Sequence, residues 1–302
     1  MGYVDFSFDV YSVSRFVSLT YSHIHSGALA ELRRGGKNFS SCCPFTSLPY
    51  DERTMHWIDL IRLNGTFSEN ASNTTPLNFE VGEMWMSLLG NGTSWLHYLF
   101  RGTQALEVGD VNRARDEFRA SITKRPNAHA YRGLAVMSST PNEGWENYQN
   151  AWKCYLSLSE EQDVVKNRIG KDLSREIATW LMLNNRWDDL REFLSSLPES
   201  YKSKDRVLHA QASLHVHDGD FASAKKILRS NCFPTYGSER SALIELWWNS
   251  LVLEAESEKG GESLSPRELL ALRRKYRCDG DSATSTLKDP CILGPPNLGY
   301  AY

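Results

Sequence analysis

Asn185 and Gly219 stand 34 residues apart, and both open the same kind of turn, Asn185-Arg186-Trp187-Asp188 and Gly219-Asp220-Phe221. Gly109-Asp110 follows the same template. Each turn lies between stretches whose apolar residues fall three and four apart, the spacing of one helix face. Tyr98, Leu99, Gly102, Ala105 and Leu106 form one such face behind Ser94, a candidate cap; Ala114, Phe118 and Ile122 form the next, and Pro126 stops it. A helical hairpin of this length cannot bury its apolar side alone. The recurrence therefore requires helix pairs stacked on one another.

The hairpin returns with Tyr131, Leu134 and Ala135, resuming at Trp145, Ala151 and Tyr155 after a short insertion. It returns again with Ile177, Ala178, Trp187, Leu190, Leu194 and Leu197 before Pro198, and once more with Leu208, Ala212, Phe221, Ala224 and Leu228. Small residues where helices cross allow close approach, and aromatics fill the gaps. Tyr98, Gly102, Gly109, Ala114, Phe118 and Pro126 resemble the pattern of a tetratricopeptide repeat. The predicted fold class is mainly α: a right-handed tetratricopeptide-like α–α superhelix preceded by a short β or irregular N-terminal segment. Unrelated hairpins in an ordinary bundle are the competing arrangement.

Four regions are expected. Residues 1–94 read as a β-rich or irregular remnant, with period-two alternation from Val13 to Tyr21, loop sequence over 64–76 and a strand around Met84-Trp85-Met86. Residues 95–230 carry the repeats. Residues 231–278 supply two capping helices, with Leu243, Leu246, Trp247 and Leu251 on the apolar side and a Ser265-Pro266-Arg267-Glu268 helix start. Residues 279–302, rich in Gly, Pro, Ser and Asp, read as a flexible tail.

Charge narrows the function classes. The 34 basic and 37 acidic residues leave a net charge of -3, so no general attraction to nucleic acid or to an anionic membrane is expected. No apolar run approaches the roughly 20 residues a membrane helix needs. Met1 to Tyr21 has no continuous apolar core of a secretory signal. Cys42, Cys43, Cys154, Cys232, Cys278 and Cys291 contain no C-x-x-C pair, which reads as reduced thiols of a cytoplasmic protein. The N-x-[ST] triplets at Asn38, Asn64, Asn70, Asn73 and Asn91 then read as polar loop sequence.

No catalytic constellation emerges. His215 and His217, two apart on a helix, point to different faces, where a metal pair wants four-residue spacing. His23 and His25 lack a third ligand, Cys42-Cys43 are too close for a redox pair, and Gly35-Gly36-Lys37 lacks a phosphate-loop frame. Glu80 and Glu83 read as solvated charges, not paired glycosidase carboxylates. The basic run Arg273-Arg274-Lys275-Tyr276-Arg277 suits a helix C-terminus complementing its dipole. No cofactor and no metal are expected.

The stretch Asn184 to Arg277 resembles the C-terminal part of an uncharacterised family that joins a galactose-mutarotase-like β-sandwich to tetratricopeptide-like repeats. Arg186-Trp187-Asp188, Leu194 to Pro198, Arg206 to Ala210, Gly219 to Ala224 and Leu243 to Trp248 carry the resemblance. Pro76-Leu77 to Gly82-Glu83-Met84-Trp85 resembles the last sandwich strand; the rest of the sandwich is largely missing. The expected function is a non-catalytic repeat scaffold that binds a protein or an acidic peptide. The resemblance implies an alternative, a fragment of a carbohydrate-active protein whose repeats serve assembly. On the scaffold reading, Arg101, Gln104, Arg132, Arg175 and Gln211 face the concave groove, where Arg and Gln can fork onto carboxylates or carbonyls.

Overall fold

The computed structural model describes residues 55–77, 79, 82–158 and 163–276. Fourteen α-helices and one 3-10 helix are present there, packed as hairpins, and the described residues contain no strand. The strand expected over Val13–Tyr21, His23, His25, Cys42-Cys43 and the tail after residue 278 lie outside the described residues. The chain divides into two units, residues 1–170 and 171–302.

In the first unit, α1 (Met55–Arg62), α2 (Glu69–Asn73) and α3 (Glu83–Leu89) precede α4 (Trp95–Glu107), α5 (Val111–Lys124), α6 (Ala128–Val136) and α7 (Pro141–Leu156). α8 (Asp163–Leu183) begins here and crosses the boundary. The strand expected at Met84–Met86 is corrected: this segment is helix α3, bracketed by Gly82 and Gly90. Trp85 and Leu89, four apart, both need burial, and only a helix puts them on one face. They enter one core with Trp57 and Leu60 of α1 and Leu96, Leu99 and Phe100 of α4. Trp57 lies 4.9 Å from Trp85 and 4.4 Å from Phe100 between ring centroids. A single hydrophobic core thus runs across residue 95.

The second unit holds the rest of α8, α9 (Trp187–Ser196), α10 (Glu199–Lys202), α11 (Asp205–His217), α12 (Phe221–Ser230), a 3-10 turn (Pro234–Glu239), α13 (Arg240–Glu258) and α14 (Pro266–Tyr276). Leu208, Ala212 and Leu228 share a core with Phe233, Tyr236, Leu243, Trp247 and Leu251, so α13 closes the apolar side of α11 and α12. Ser265 and Glu268 start α14 as a capping box: Ser265 N donates to Glu268 Oε2 at 2.8 Å, and Glu268 N donates to Ser265 Oγ at 3.4 Å.

The recurrent turns share one geometry. Gly109, Asn185 and Gly219 take positive φ of 80°, 54° and 77°. The next residue then bonds back five positions: Asp110 N to Ala105 O at 2.8 Å, Arg186 N to Leu181 O at 3.0 Å, Asp220 N to His215 O at 2.8 Å. These are Schellman ends, in which a left-handed residue closes one helix and frees its neighbour to start the next. Asp110 and Asp220 then cap α5 and α12 by accepting from Arg113 N and Ser223 N.

Of the residues expected in the core, Ala114, Phe118, Ala151, Tyr155, Ala178, Leu190, Leu194, Ala212, Ala224 and Leu228 are buried. Tyr98 and Tyr131 are only half-buried, and the Arg101 guanidinium lies 4.8 Å over the Tyr98 ring. No described helix is long and apolar enough to cross a membrane.

Candidate functional site

In the first unit, the loop and short helix over residues 65–76 are held by side-chain donors that grip its carbonyls. His56 Nε2 donates to Ala71 O and Thr74 O, both at 3.0 Å, and His97 Nε2 donates to Gly65 O at 2.9 Å. His129 Nε2 donates to Pro76 O at 2.8 Å. Trp95 Nε1 and Arg125 Nη1 both donate to Ser72 O, at 2.9 and 2.6 Å. Ser94, a helix-starting residue whose side chain does not cap the backbone, donates instead to His97 Nδ1 at 2.6 Å and sets that ring's tautomer. Burial lowers the pKa of all three rings and keeps them neutral; His129 is pushed down to about 4, with the nearby Arg132 charge adding to the effect. Beside this loop lies a polar cleft of about 300 Å³ lined by Asn73, Trp95, Arg125, Asn127, Cys154 and Ser157 among others.

In the second unit a polar network ties three segments together. Asp205, the first residue of α11, is buried and accepts from Thr235 N at 2.8 Å, Thr235 Oγ1, Arg206 N at 2.9 Å and Arg175 Nη2 at 3.3 Å. Burial alone would raise its pKa, but the Thr235 bonds and the Arg175 charge outweigh that and hold the carboxyl below its ordinary value. Arg206 lies 4.2 Å over the Tyr236 ring and pairs with Glu239. Tyr236 Oη donates to His209 Nδ1 at 2.6 Å. Burial pushes His209 down to about 4 and the Tyr236 phenol upward, so one stays a neutral acceptor and the other a donor. The Asp205 carboxylate receives donors from three segments, which makes the network a structural lock joining α8, α11 and the 3-10 turn.

The residues expected on one groove fall on both units. Arg101 is buried, not solvent-facing: its Nε reaches both Glu117 oxygens at 3.0 and 3.1 Å, and Nη1 donates to Gly90 O and Gly92 O at 3.2 and 2.7 Å. Gln104 Oε1 accepts from Gly82 N at 2.7 Å. Arg132 is half-buried on α6. In the second unit, Arg175 belongs to the Asp205 network, and Gln211 Nε2 donates to Lys202 O at 3.4 Å. Asp205, His209, Thr235 and Tyr236 give no signal in the sequence, where Pro234 and Gly237 read only as a break in period. His215 Nδ1 sits 3.2 Å from Asp220, and His217 stacks on Trp187 with centroids 4.6 Å apart. Among the described residues no three His, Cys, Asp or Glu gather as a metal site.

The second unit has a counterpart among known domains. Residues 170–278 are similar to the N-terminal SD domain of the transcriptional regulator SIX1. The SD-like segment covers a little over a third of the 302 residues. It begins at the unit boundary and ends just past α14. No curated protein and no solved structure matches the chain. The SD likeness overturns the sandwich-and-repeat family expected from Asn184 to Arg277, because it claims the same residues for a different domain. With that family go the repeat-scaffold function and the carbohydrate-active alternative. The misreading has a physical cause: Schellman turns and small-residue crossings arise in any stack of antiparallel hairpins, so they identify hairpins and not a family.

Proposed function

We propose that this chain serves in transcriptional regulation, with residues 170–278 acting as an SD-type domain that engages a protein partner. The observation that carries this reading is the coincidence of the SD-like segment with a separate structural unit. The Asp205–Thr235–Arg175 network and the α13 cover make that unit a rigid body able to present a fixed surface. The nucleus, in place of the cytoplasm expected from the thiols, is the compartment this role requires.

The test fuses the full chain to a heterologous DNA-binding module at a reporter promoter. A severalfold change in reporter output, with the untethered chain found in nuclear fractions, is the expected result. Unchanged output from a well-expressed fusion would remove the reading.

A further inference from the structure

The basic side chains of the second unit sort into two populations. Arg175, Arg186, Arg191, Lys202, Arg206, Lys225 and Lys259 each pair with a carboxylate. Lys226 and Arg229 on α12, and Arg267, Arg273 and Arg274 on α14, are exposed and make no ion pair among the described residues. Glu254 and Glu268, acids on the neighbouring helices, are already taken by Lys225 and Lys259.

Two of these arginines are held in place by rings. Arg229 lies 4.8 Å over Trp247, and Arg273 lies 5.3 Å over Trp248. The two tryptophans are consecutive on α13, about 100° apart around its axis, so α12 and α14 each lay an arginine against α13 at one level. Stacking restrains the long side chain while its N–H edge stays available to an anion. The arrangement differs from a simple helix-end complement, which needs neither the tryptophans nor the α12 cations.

We infer that this α12–α13–α14 surface docks the phosphate backbone of double-stranded nucleic acid. Uncompensated cations contributed by two helices suit a polyanion with regularly spaced charges better than one carboxylate. The duplex form follows from the indoles: Trp247 is buried and the Trp248 face is covered by Arg273, so neither offers a stacking platform for unpaired bases. Binding is then sequence-tolerant and carried by counterion release. The net charge of -3 is a sum over the whole chain and does not describe the local balance at this surface.

The test is fluorescence anisotropy of a labelled duplex of about 20 base pairs, titrated with the full chain over a range of salt concentrations. Replacing Arg229, Arg273 and Arg274 together with Gln should weaken binding at low salt about tenfold or more. It should also flatten the log Kd–log salt slope by roughly 2–3, at about 0.9 for each phosphate no longer neutralised. The matching triple Lys variant should keep most of the slope, and circular dichroism should show both variants folded. Absence of duplex binding by the parent chain, or an unchanged slope in the Gln variant, would overturn the inference. So would tighter binding to poly-glutamate or to anionic vesicles than to duplex. The surface stands apart from the SD-type reading: a silent reporter with intact duplex binding removes that reading alone.

Discussion

The Phe118 ring lies so close to the Gly133 backbone that a β-carbon on the glycine would stand 2.5 Å from Cε2. Gly102, on the other side, would place one 2.8 Å from the same ring. One phenylalanine of α5 is thus clasped by glycines of α4 and α6, and those three helices approach at the distance the ring allows.

Gly133→Ala must therefore displace a buried ring, and we expect a loss of about 1–3 kcal/mol. Gly109→Ala meets open space but must adopt positive φ, which costs about 1 kcal/mol. Urea melts of both variants should rank them in that order; equal costs would mean the ring moves freely.

Asp205→Ala should destabilise the second unit by about 2–3 kcal/mol, because it strips charged hydrogen bonds and leaves Thr235 and Arg175 facing an unfilled position. Thr235→Ala, which removes one donor, should cost about 1 kcal/mol. Hydrogen exchange across Pro234–Glu239 should accelerate in both variants.

Acid should weaken the protein before its carboxylates titrate. His129 and His209 are pushed down to about 4, below the free value near 6.5, so the unfolded chain binds more protons between those limits. Their contribution is complete above pH 6.5 and is lost as pH falls toward 4, on the order of 3 kcal/mol for each ring. Melts from pH 7.5 to 4 should show this decline, and His209→Gln should flatten the part belonging to the second unit.

Trp57 is buried, yet its Nε1 finds no hydrogen-bond partner among the described residues. Trp57→Phe removes that unsatisfied donor while keeping a ring beside Trp85 and Phe100, so a change under about 1 kcal/mol is expected. Trp95→Phe, which forfeits the bond to Ser72 O, should cost about 1–2 kcal/mol. Parity between the two in thermal melts would contradict this.

The paired helices of the hairpins and their turns are legible in the sequence because each depends on neighbours in the chain, while α10, the start of α8 and the 3-10 turn are not. Gly109, Asn185 and Gly219 mark Schellman ends, and Ser265-Pro266-Arg267-Glu268 marks a helix start. Glu83–Leu89 reads wrongly as a strand because three consecutive apolar residues fit either element until Trp85 and Leu89 are seen to share a core. The five groove residues follow from helical position, which fixes the face a side chain leaves from but not what it meets.

Where helices begin, turn and pair is written locally, since capping, left-handed residues and apolar spacing are settled within a few positions. Which charges are spent and which stay available is decided by packing alone. Arg101 finds Glu117 sixteen residues away, Asp205 finds Thr235 thirty residues away, and Arg229 and Arg273 reach two adjacent tryptophans from opposite ends of the α13 segment. Such pairings depend on how helices cross, and a period of 3.6 residues carries no information about a partner that far along the chain.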